Sequence, residues 1–187
     1  MKIKEIIKIA ADFTAREKVF SSLSSSATET DKTVLSEIDL FTRLVNLVAS
    51  ELAASYIPMK KEEKITATDG IVRYSALKEN PIKILGVYDS YGNKLSFTVF
   101  PEYMRVCGGG EITLIYAYAP ANAGLDEETG YTERDVSAEV LALGTAAEYC
   151  LTEGRTEEAV AFRKRFSDGV ERFCLPENKR IKRRGWL

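Results

Sequence analysis

The chain has 187 residues, of which 45% are hydrophobic and 29% are charged, and its formal net charge is −2. This length and composition predict a globular protein with a core of its own, and they exclude an intrinsically disordered chain. No apolar run approaches the ~20 residues that a membrane-spanning helix needs, so we expect no membrane association. The sequence contains no histidine, which excludes Ser-His-Asp and Cys-His catalysis and most zinc sites. Carboxylate, lysine, tyrosine and hard-metal chemistry remain open.

The cysteines and the first residues bear on the compartment in which the protein works. Cys107, Cys150 and Cys174 are odd in number and widely spaced, which favours buried free thiols over disulfides or a metal site. Charged side chains interrupt the apolar ones throughout residues 1–8, which is not the pattern of a signal peptide. We therefore expect the chain to stay in a reducing cytoplasm.

Two helices are predicted before residue 58. Residues 2–20 place apolar side chains on nearly one face, and a serine-rich run ends this first helix near Ser22. The second helix, residues 32–56, begins at a cap supplied by Asp31 or Thr33 and stops before Pro58. Its apolar residues are spaced by four and three, and further leucines widen the stripe: Val34, Ile38, Phe41, Val45, Val48 and Leu52, with Leu35, Leu44 and Leu47.

After Lys64 the hydrophobic period changes from helical to strand-like. β-branched and aromatic residues alternate with turn residues, which predicts three successive hairpins. Short connections require antiparallel pairing, so the insert is expected to be a meander or a small sandwich. The paired strands are expected at residues 65–68 with 71–74, 82–88 with 94–100, and 103–107 with 111–118.

Two further helices follow an acidic loop. Thr132 and Asp135 resemble a capping box at the start of the first of them, and Gly154 is expected to end it. One flank of this helix carries small residues that permit close helix packing: Ala142, Gly144, Ala146 and Ala147. The next helix starts at Thr156 and ends before Pro176, with an apolar face of Ala159, Phe162, Phe166, Val170 and Phe173.

The predicted fold class is α+β, with a helical bundle of about four helices interrupted by an inserted antiparallel β meander or small sandwich. The helical domain comprises residues 1–62 and 122–178, and the inserted β domain comprises residues 63–121. Residues 179–187 form a basic C-terminal arm, with five basic residues among the six from Lys179 to Arg184.

Neither of two motifs with possible chemistry indicates a ligand. The triplet Gly108 to Gly110 lacks the lysine and the following helix of a phosphate loop, which favours a hairpin turn. The carboxylates at residues 126–128, 133 and 135 lack the spacing of a calcium loop, which favours a solvated loop and a helix start. Nothing selects a carboxylate pair for glycoside hydrolysis. We therefore predict no catalytic residue, no metal and no cofactor.

Aromatic residues of the insert leave a binding function open. They could stack on sugars or bases, although core and cross-strand packing is the favoured role. A carbohydrate- or nucleic-acid-binding module is thus the alternative function. The residues concerned are Tyr88, Tyr91, Phe97, Phe100, Tyr103, Tyr116 and Tyr118.

The basic arm ends in the only tryptophan of the sequence, a residue that often anchors interfaces. Docking onto an acidic partner or nucleic acid and a solvated terminus are both open from the residues alone. The residues in question are Lys179, Arg180, Lys182, Arg183, Arg184 and Trp186.

The order of these elements resembles that of phage and prophage head-to-tail connector (adaptor) proteins, particularly the tail tubular protein A type, in which strands are inserted between helices. The resemblance covers the chain from about Val34 to its end. It is carried by the helical pair before the insert, the basic and aromatic end, and four segments: Asp69 to Leu77, Val87 to Gly92, Ala146 to Gly154, and Glu158-Ala159.

This resemblance implies a structural virion protein of the neck, assembled in the bacterial host cytoplasm, and not an enzyme. It implies a homo-oligomeric ring, commonly of twelve copies, bound beneath the portal protein and presenting a surface to the next neck or tail protein. DNA would pass through the channel. The segment from Lys179 to Trp186 would be the portal-docking arm, and the β insert would face the outside or the tail.

Overall fold

The computed structural model describes residues 1–25 and 31–174. Within these ranges the fold is α+β with an inserted β region, as predicted. No helix in them combines the length and the apolar character that crossing a bilayer requires. The elements are α1 (Ile3–Phe13), α2 (Glu17–Ser24), α3 (Lys32–Ser55), β1 (Met59–Ala67), β2 (Ile71–Arg73), a 3-10 turn (Tyr74–Ala76), β3 (Pro81–Asp89), β4 (Phe97–Val99), β5 (Tyr103–Val106), β6 (Gly110–Tyr118), α4 (Ala138–Thr152) and α5 (Thr156–Cys174).

The chain packs as two compact units. Of the residues that the structure describes, those within 1–48 and 122–174 form the helical unit, and those from Ala49 to Ala121 form the β unit. The division falls inside α3, so the last two turns of that helix belong with the strands.

Helix α4 is the centre of the helical unit. Every residue from Val140 to Ala147 is buried, which means that this helix is covered on all sides. Helices α1 and α5 pack against it, and α3 contacts it through Phe41, whose ring stacks on Tyr149 at 4.4 Å. A helix that is apolar all round is the expected core element of a small bundle.

Two glycines allow the helices to approach closely. A Cβ on Gly144 would lie 2.7 Å from Val48 Cγ1, and a Cβ on Gly169 would lie 2.7 Å from Val140 Cγ2. The small residues that were predicted to line one flank of α4 are all buried, which confirms their packing role. On α5, Ala159, Phe166 and Val170 are buried as predicted, whereas Phe173 is 39% exposed.

The prediction of one helix over residues 2–20 is wrong, because two helices meet there at Ala15. Ala15 has φ 57°, Arg16 N donates to Ala11 O at 2.8 Å, and Ala15 N donates to Asp12 O at 3.1 Å. These bonds form a left-handed helix end that usually carries glycine. The described chain therefore has five helices rather than about four.

Helix α3 confirms the second predicted helix. Its six-residue apolar stripe is buried, but Leu35 and Leu47, expected to widen it, are 45% and 52% exposed. Asp31 is the cap, because its Oδ1 accepts a hydrogen bond from Thr33 N at 2.9 Å. This bond lowers the pKa of the Asp31 carboxyl.

The capping box at Thr132 forms an isolated turn instead of starting a helix. Thr132 donates to Asp135 Oδ2 through both its backbone N, at 2.9 Å, and its hydroxyl, at 2.8 Å. Helix α4 begins six residues after Thr132, at Ala138, where Ser137 is the N-cap and its Oγ accepts from Val140 N at 3.3 Å. The prediction placed the start of α4 too early because Thr132 and Asp135 form their hydrogen bonds within a single turn that does not continue as a helix.

The β unit contains two three-stranded antiparallel sheets, with strand orders β1-β6-β3 and β2-β5-β4. Buried residues of both sheets form one core between them, as in a small sandwich. That core consists of Ala67, Val72, Val87, Met104, Val106, Ile112, Leu114 and Tyr116.

Two of the three predicted hairpins form only beside their turns, where isolated bridges join Thr68 to Ile71 and Tyr88 to Lys94. The third does not form. Asp69 and Gly70 both have positive φ, at 53° and 69°, as expected for a tight turn. However, β1 pairs with β6, and β2 pairs with β5. The triplet Gly108 to Gly110 is therefore not a hairpin turn, since it connects a strand of one sheet to a strand of the other. Pairing between strands that are distant in sequence cannot be predicted from the pattern of neighbouring segments.

Strand β1 begins at Met59, six residues before the predicted start at Ile65. Lys60, Glu62 and Lys64 are exposed, whereas the alternate residues are partly buried. Charged side chains with long aliphatic stems can occupy such half-buried positions. The residues that alternate between burial and exposure at the start of β1 are therefore nearly all charged, and the sequence shows no alternation of apolar and polar residues there.

Candidate functional site

The sequence-predicted site lies outside the described residues. The described chain stops at Cys174, at the end of α5, and the arm follows it. All six residues of the predicted docking arm fall in this segment: Lys179, Arg180, Lys182, Arg183, Arg184 and Trp186.

The helical hairpin that carries the resemblance is tightly closed. Gly154 has φ 75°, and Arg155 N donates to Cys150 O at 2.8 Å. Gly154 thus ends α4 as predicted, through the same bonding pattern that Ala15 supports at the end of α1.

Arg16 joins three helices beside this hairpin. Its Nη2 lies 2.6 Å from Glu153 Oε2, and its Nη1 lies 3.6 Å from Glu37 Oε1. The guanidinium carbon also lies 5.1 Å from the centre of the Tyr149 ring. The side chain therefore holds the end of α4 and the first half of α3 at the α1–α2 corner.

Arg155 makes the second half of this cluster. It forms an ion pair with Glu158, and its Nη1 donates to Thr14 O at 3.2 Å. Hydrogen bonding to Arg155 lowers the pKa of Glu158. We call Arg16, Glu37, Glu153, Arg155 and Glu158 the arginine cluster. Its side chains are about a quarter to a half exposed, so solvent screens the ion pairs, and they serve mainly to set geometry.

The arginine cluster lies next to two buried groups that are held in their protonated forms. Burial raises the pKa of Tyr149 to about 12, and burial also raises the pKa of the Cys150 thiol. Because the thiolate is the reactive form of cysteine, Cys150 is a packing residue. The prediction of buried thiols holds for Cys150 and is wrong for Cys107 and Cys174, which are exposed.

The acidic loop supports the start of α1 through its backbone. Ile3 N donates to Glu127 O and Lys4 N donates to Leu125 O, each at 3.0 Å. These two amides at the helix start would otherwise lack partners. Across residues 1–25 and 31–174, no group of three or more acidic or cysteine side chains is arranged to hold a metal ion.

Tyr116 is buried and belongs to the core of the β unit. Its hydroxyl donates to Glu63 Oε2 at 2.9 Å and accepts from Glu79 N at 3.4 Å. Burial, together with the Glu63 carboxylate, raises the pKa of Tyr116 to about 12. The Lys61 ammonium pairs with Glu79 Oε1 at 3.0 Å. This network ties the chain before β3 to the sheet.

The other aromatic side chains of the β unit have separate surroundings. Tyr88 lies over Gly86, where an added Cβ would be 2.8 Å from the ring. Phe100 and Tyr103 stack on each other at 4.7 Å. Tyr118 contacts the edge of Tyr116 and the ammonium of Lys61, and Phe97 packs on the core.

Tyr91 is 90% exposed and lies in a turn that several hydrogen bonds close. The Asp89 carboxylate accepts hydrogen bonds from Tyr91 N at 2.9 Å, from Asn93 N at 2.8 Å and from Asn93 Nδ2 at 3.0 Å. These bonds lower the pKa of Asp89. Gly92, with φ 84°, supplies the left-handed residue that the turn requires. We call residues 89–94 the Tyr91 turn.

A groove of about 510 Å³ lies between the start of α4 and the end of α5. We call it the α4–α5 groove. Its floor is apolar, with the buried Val140 and Leu143 beside Gly169 and the partly exposed Phe173. Its rim carries the exposed charged side chains of Glu139, Arg165, Asp168 and Arg172. An apolar floor with a few charged groups suits an amphipathic side chain.

No family model matches this chain, and no curated protein sequence matches it closely enough to indicate a relative. Its function therefore has to be inferred from the residues and surfaces described above.

Sequence reasoning missed the arginine cluster and the groove. Arg155 follows Gly154, so a helix-ending glycine with a basic neighbour was a usable signal for half of the cluster. Arg16 follows Ala15, and no residue preference marks that break. The groove depends on how α4 and α5 pack, which periodicity alone does not determine.

Proposed function

We propose that this chain is a structural virion protein that forms the head-to-tail connector ring beneath a phage or prophage portal and docks the next neck or tail protein. The observation that carries the proposal is the layout of the described fold. Two sheets with a core of their own are inserted between helices α3 and α4 of a closed helical unit. This is the arrangement on which the resemblance to the tail tubular protein A type rests.

The arginine cluster supports a scaffold role for the helical unit. Its charged groups pair with one another and with the Thr14 carbonyl. They hold the ends of α1 and α4 together, so the hairpin behaves as a rigid support. Assembly proteins need such a support because partners bind to a preorganised surface at lower entropic cost.

The basic arm is proposed as the portal-docking element. About 3.3–3.6 Å per residue allows the chain from Cys174 to Trp186 a reach of up to about 40 Å. Five basic residues and one tryptophan combine charge steering with an apolar anchor.

The decisive experiment joins the chain with the portal protein encoded in the same genome. We expect electron microscopy of the co-purified complex to show a ring of this chain on the portal. Deletion of Arg180 to Leu187 is expected to abolish attachment while the circular dichroism spectrum stays unchanged. A matched control replaces the exposed Lys60 and Lys64 by Gln, which removes basic charge elsewhere.

Two outcomes would contradict this proposal. A truncated chain that still docks like the full chain would remove the arm assignment. A full chain that forms no ring on the portal would remove the connector function. Portal, terminase and major capsid reading frames beside the gene would support the proposal at little cost.

A carbohydrate- or nucleic-acid-binding module is the second candidate, and the exposed Tyr91 ring favours it. It predicts saturable quenching of tyrosine fluorescence by an oligosaccharide or a single-stranded oligonucleotide. The quenching should be lost in Tyr91→Ala. A flat titration with both classes of ligand would eliminate this candidate.

A further inference from the structure

The Tyr91 turn presents a large aromatic side chain that nothing in its own β unit covers. Tyr91 is the most exposed of the large apolar and aromatic side chains in the described chain, at 90%. The Asp89 carboxylate and the backbone bond from Asp89 N to Asn93 O at 2.9 Å hold the turn in one shape. The entropic cost of ordering it on binding is therefore small, and tyrosine is among the residues that most often anchor interfaces.

Lys94 carries the one charge of the Tyr91 turn that is not used within the turn itself. The Asp89 carboxylate is used inside the turn, whereas the Lys94 side chain is exposed and enters no ion pair in the described chain. A partner surface for this turn should thus combine an apolar recess for the ring with carboxylates for the hydroxyl and the ammonium.

The α4–α5 groove has these properties. Its floor of Val140, Leu143 and Phe173 is apolar. On its rim, Glu139 and Asp168 form no hydrogen bond or ion pair with another described residue. Arg172 on the same rim can stack its guanidinium on a phenol ring.

We propose that the Tyr91 turn of one copy binds in the α4–α5 groove of a second copy. The contact joins two different surfaces, so it is heterologous, and a heterologous contact forms a ring when the rotation between neighbouring copies closes. This inference rests on the proposed ring and supplies the contact between neighbouring subunits. The ammonium of Lys94 pairs with Asp168 of the neighbour, and the hydroxyl of Tyr91 pairs with its Glu139.

Photo-crosslinking from residue 91 tests the contact directly. Tyr91 is replaced by p-benzoylphenylalanine in the full chain, which is mixed with isotope-labelled wild-type chain at about 1 mM so that weak contacts are populated. We expect crosslinks between light and heavy chains within residues 137–143 or 165–173. The control carries the same group at Val99, which is 56% exposed in the same unit. Crosslinks to other regions, or none between chains, would overturn the proposal.

A charge-reversal cycle tests the pairing by sedimentation velocity. Tyr91→Ala is expected to weaken self-association about tenfold or more, whereas Val99→Ala leaves it unchanged. Lys94→Glu and Asp168→Lys should each weaken it, and the two together should restore it. Equal association of Tyr91→Ala and Val99→Ala, or no association of the wild type at about 1 mM, contradicts the inference.

The ring on the portal separates this inference from the proposed function. If Tyr91→Ala forms normal rings on the portal, the groove contact is wrong and the connector function stands. If the wild type forms no ring there, the connector function fails, and the crosslinks still decide whether the contact exists.

Discussion

Gly144 is the position where the packing of the helical unit can be tested most sharply. Replacing glycine by alanine inside a helix normally stabilises it by about 1 kcal/mol. Here the new Cβ would lie 2.7 Å from Val48 Cγ1 and 3.0 Å from Cδ2 and Cε2 of Phe166. Both neighbours are fully buried, so one of the helices has to shift. Such overpacking costs about 1–3 kcal/mol, so after the gain in helix propensity we expect a net loss of up to about 2 kcal/mol in Gly144→Ala.

Urea unfolding followed by far-ultraviolet circular dichroism measures this loss. The midpoint should fall while the slope of the free energy against urea concentration stays unchanged. Because two compact units are present, the transition is also followed by tyrosine fluorescence to check that both signals coincide.

The double variant Gly144→Ala with Val48→Ala identifies the cause. Removal of the Val48 methyl groups makes room for the new Cβ, so the pair should lose less stability than the sum of the single variants, by about 1 kcal/mol. Strict additivity, or a Gly144→Ala chain at least as stable as the wild type, would refute the close approach of α3 and α4.

Three further changes have expected outcomes. Ala15→Gly should stabilise the chain by about 0.5–1 kcal/mol in the same urea assay, because glycine accepts φ 57° without strain. Gly154→Ala should destabilise the chain for the same reason, and a change of the same sign in both variants would contradict the left-handed helix ends. The Asn46 side chain donates to Ala123 O at 2.9 Å and accepts from Ala123 N at 3.0 Å. Asn46→Ala should therefore lower the free energy of unfolding by about 1–3 kcal/mol. An unchanged free energy would show that water replaces both bonds. The pKa of Tyr116 is raised to about 12, so the unfolded phenol, with a pKa near 10, loses its proton first and stability falls between pH 10 and 12. Tyr116→Phe should reduce that fall by up to about 2–3 kcal/mol, and an unchanged pH profile would count against the buried phenol.

Helices α3 and α5 were predictable because their burial is one-sided. In α3, Val34, Phe41 and Leu52 recur at helical spacing and all are buried, so the period reports the structure directly. The candidate site was less accessible. Arg16 and Glu153 are 137 positions apart in sequence and meet only because α1 and α4 pack together. Tyr91 was predicted as a possible binding residue together with Tyr116. The sequence could not show that Tyr91 is exposed and Tyr116 is buried.

The amino-acid sequence by itself determined the fold class, the order of helices and strands, and most of the buried helical faces, because these follow from local periodicity and turn residues. Only the tertiary structure decided the break at Ala15, the pairing of β1 with β6, and the groove between α4 and α5. A strand satisfies its hydrogen bonds with whichever partner completes the core, and a non-glycine residue enters the left-handed region only when the surrounding packing repays the strain. Both choices depend on contacts distant in sequence, which no local pattern records.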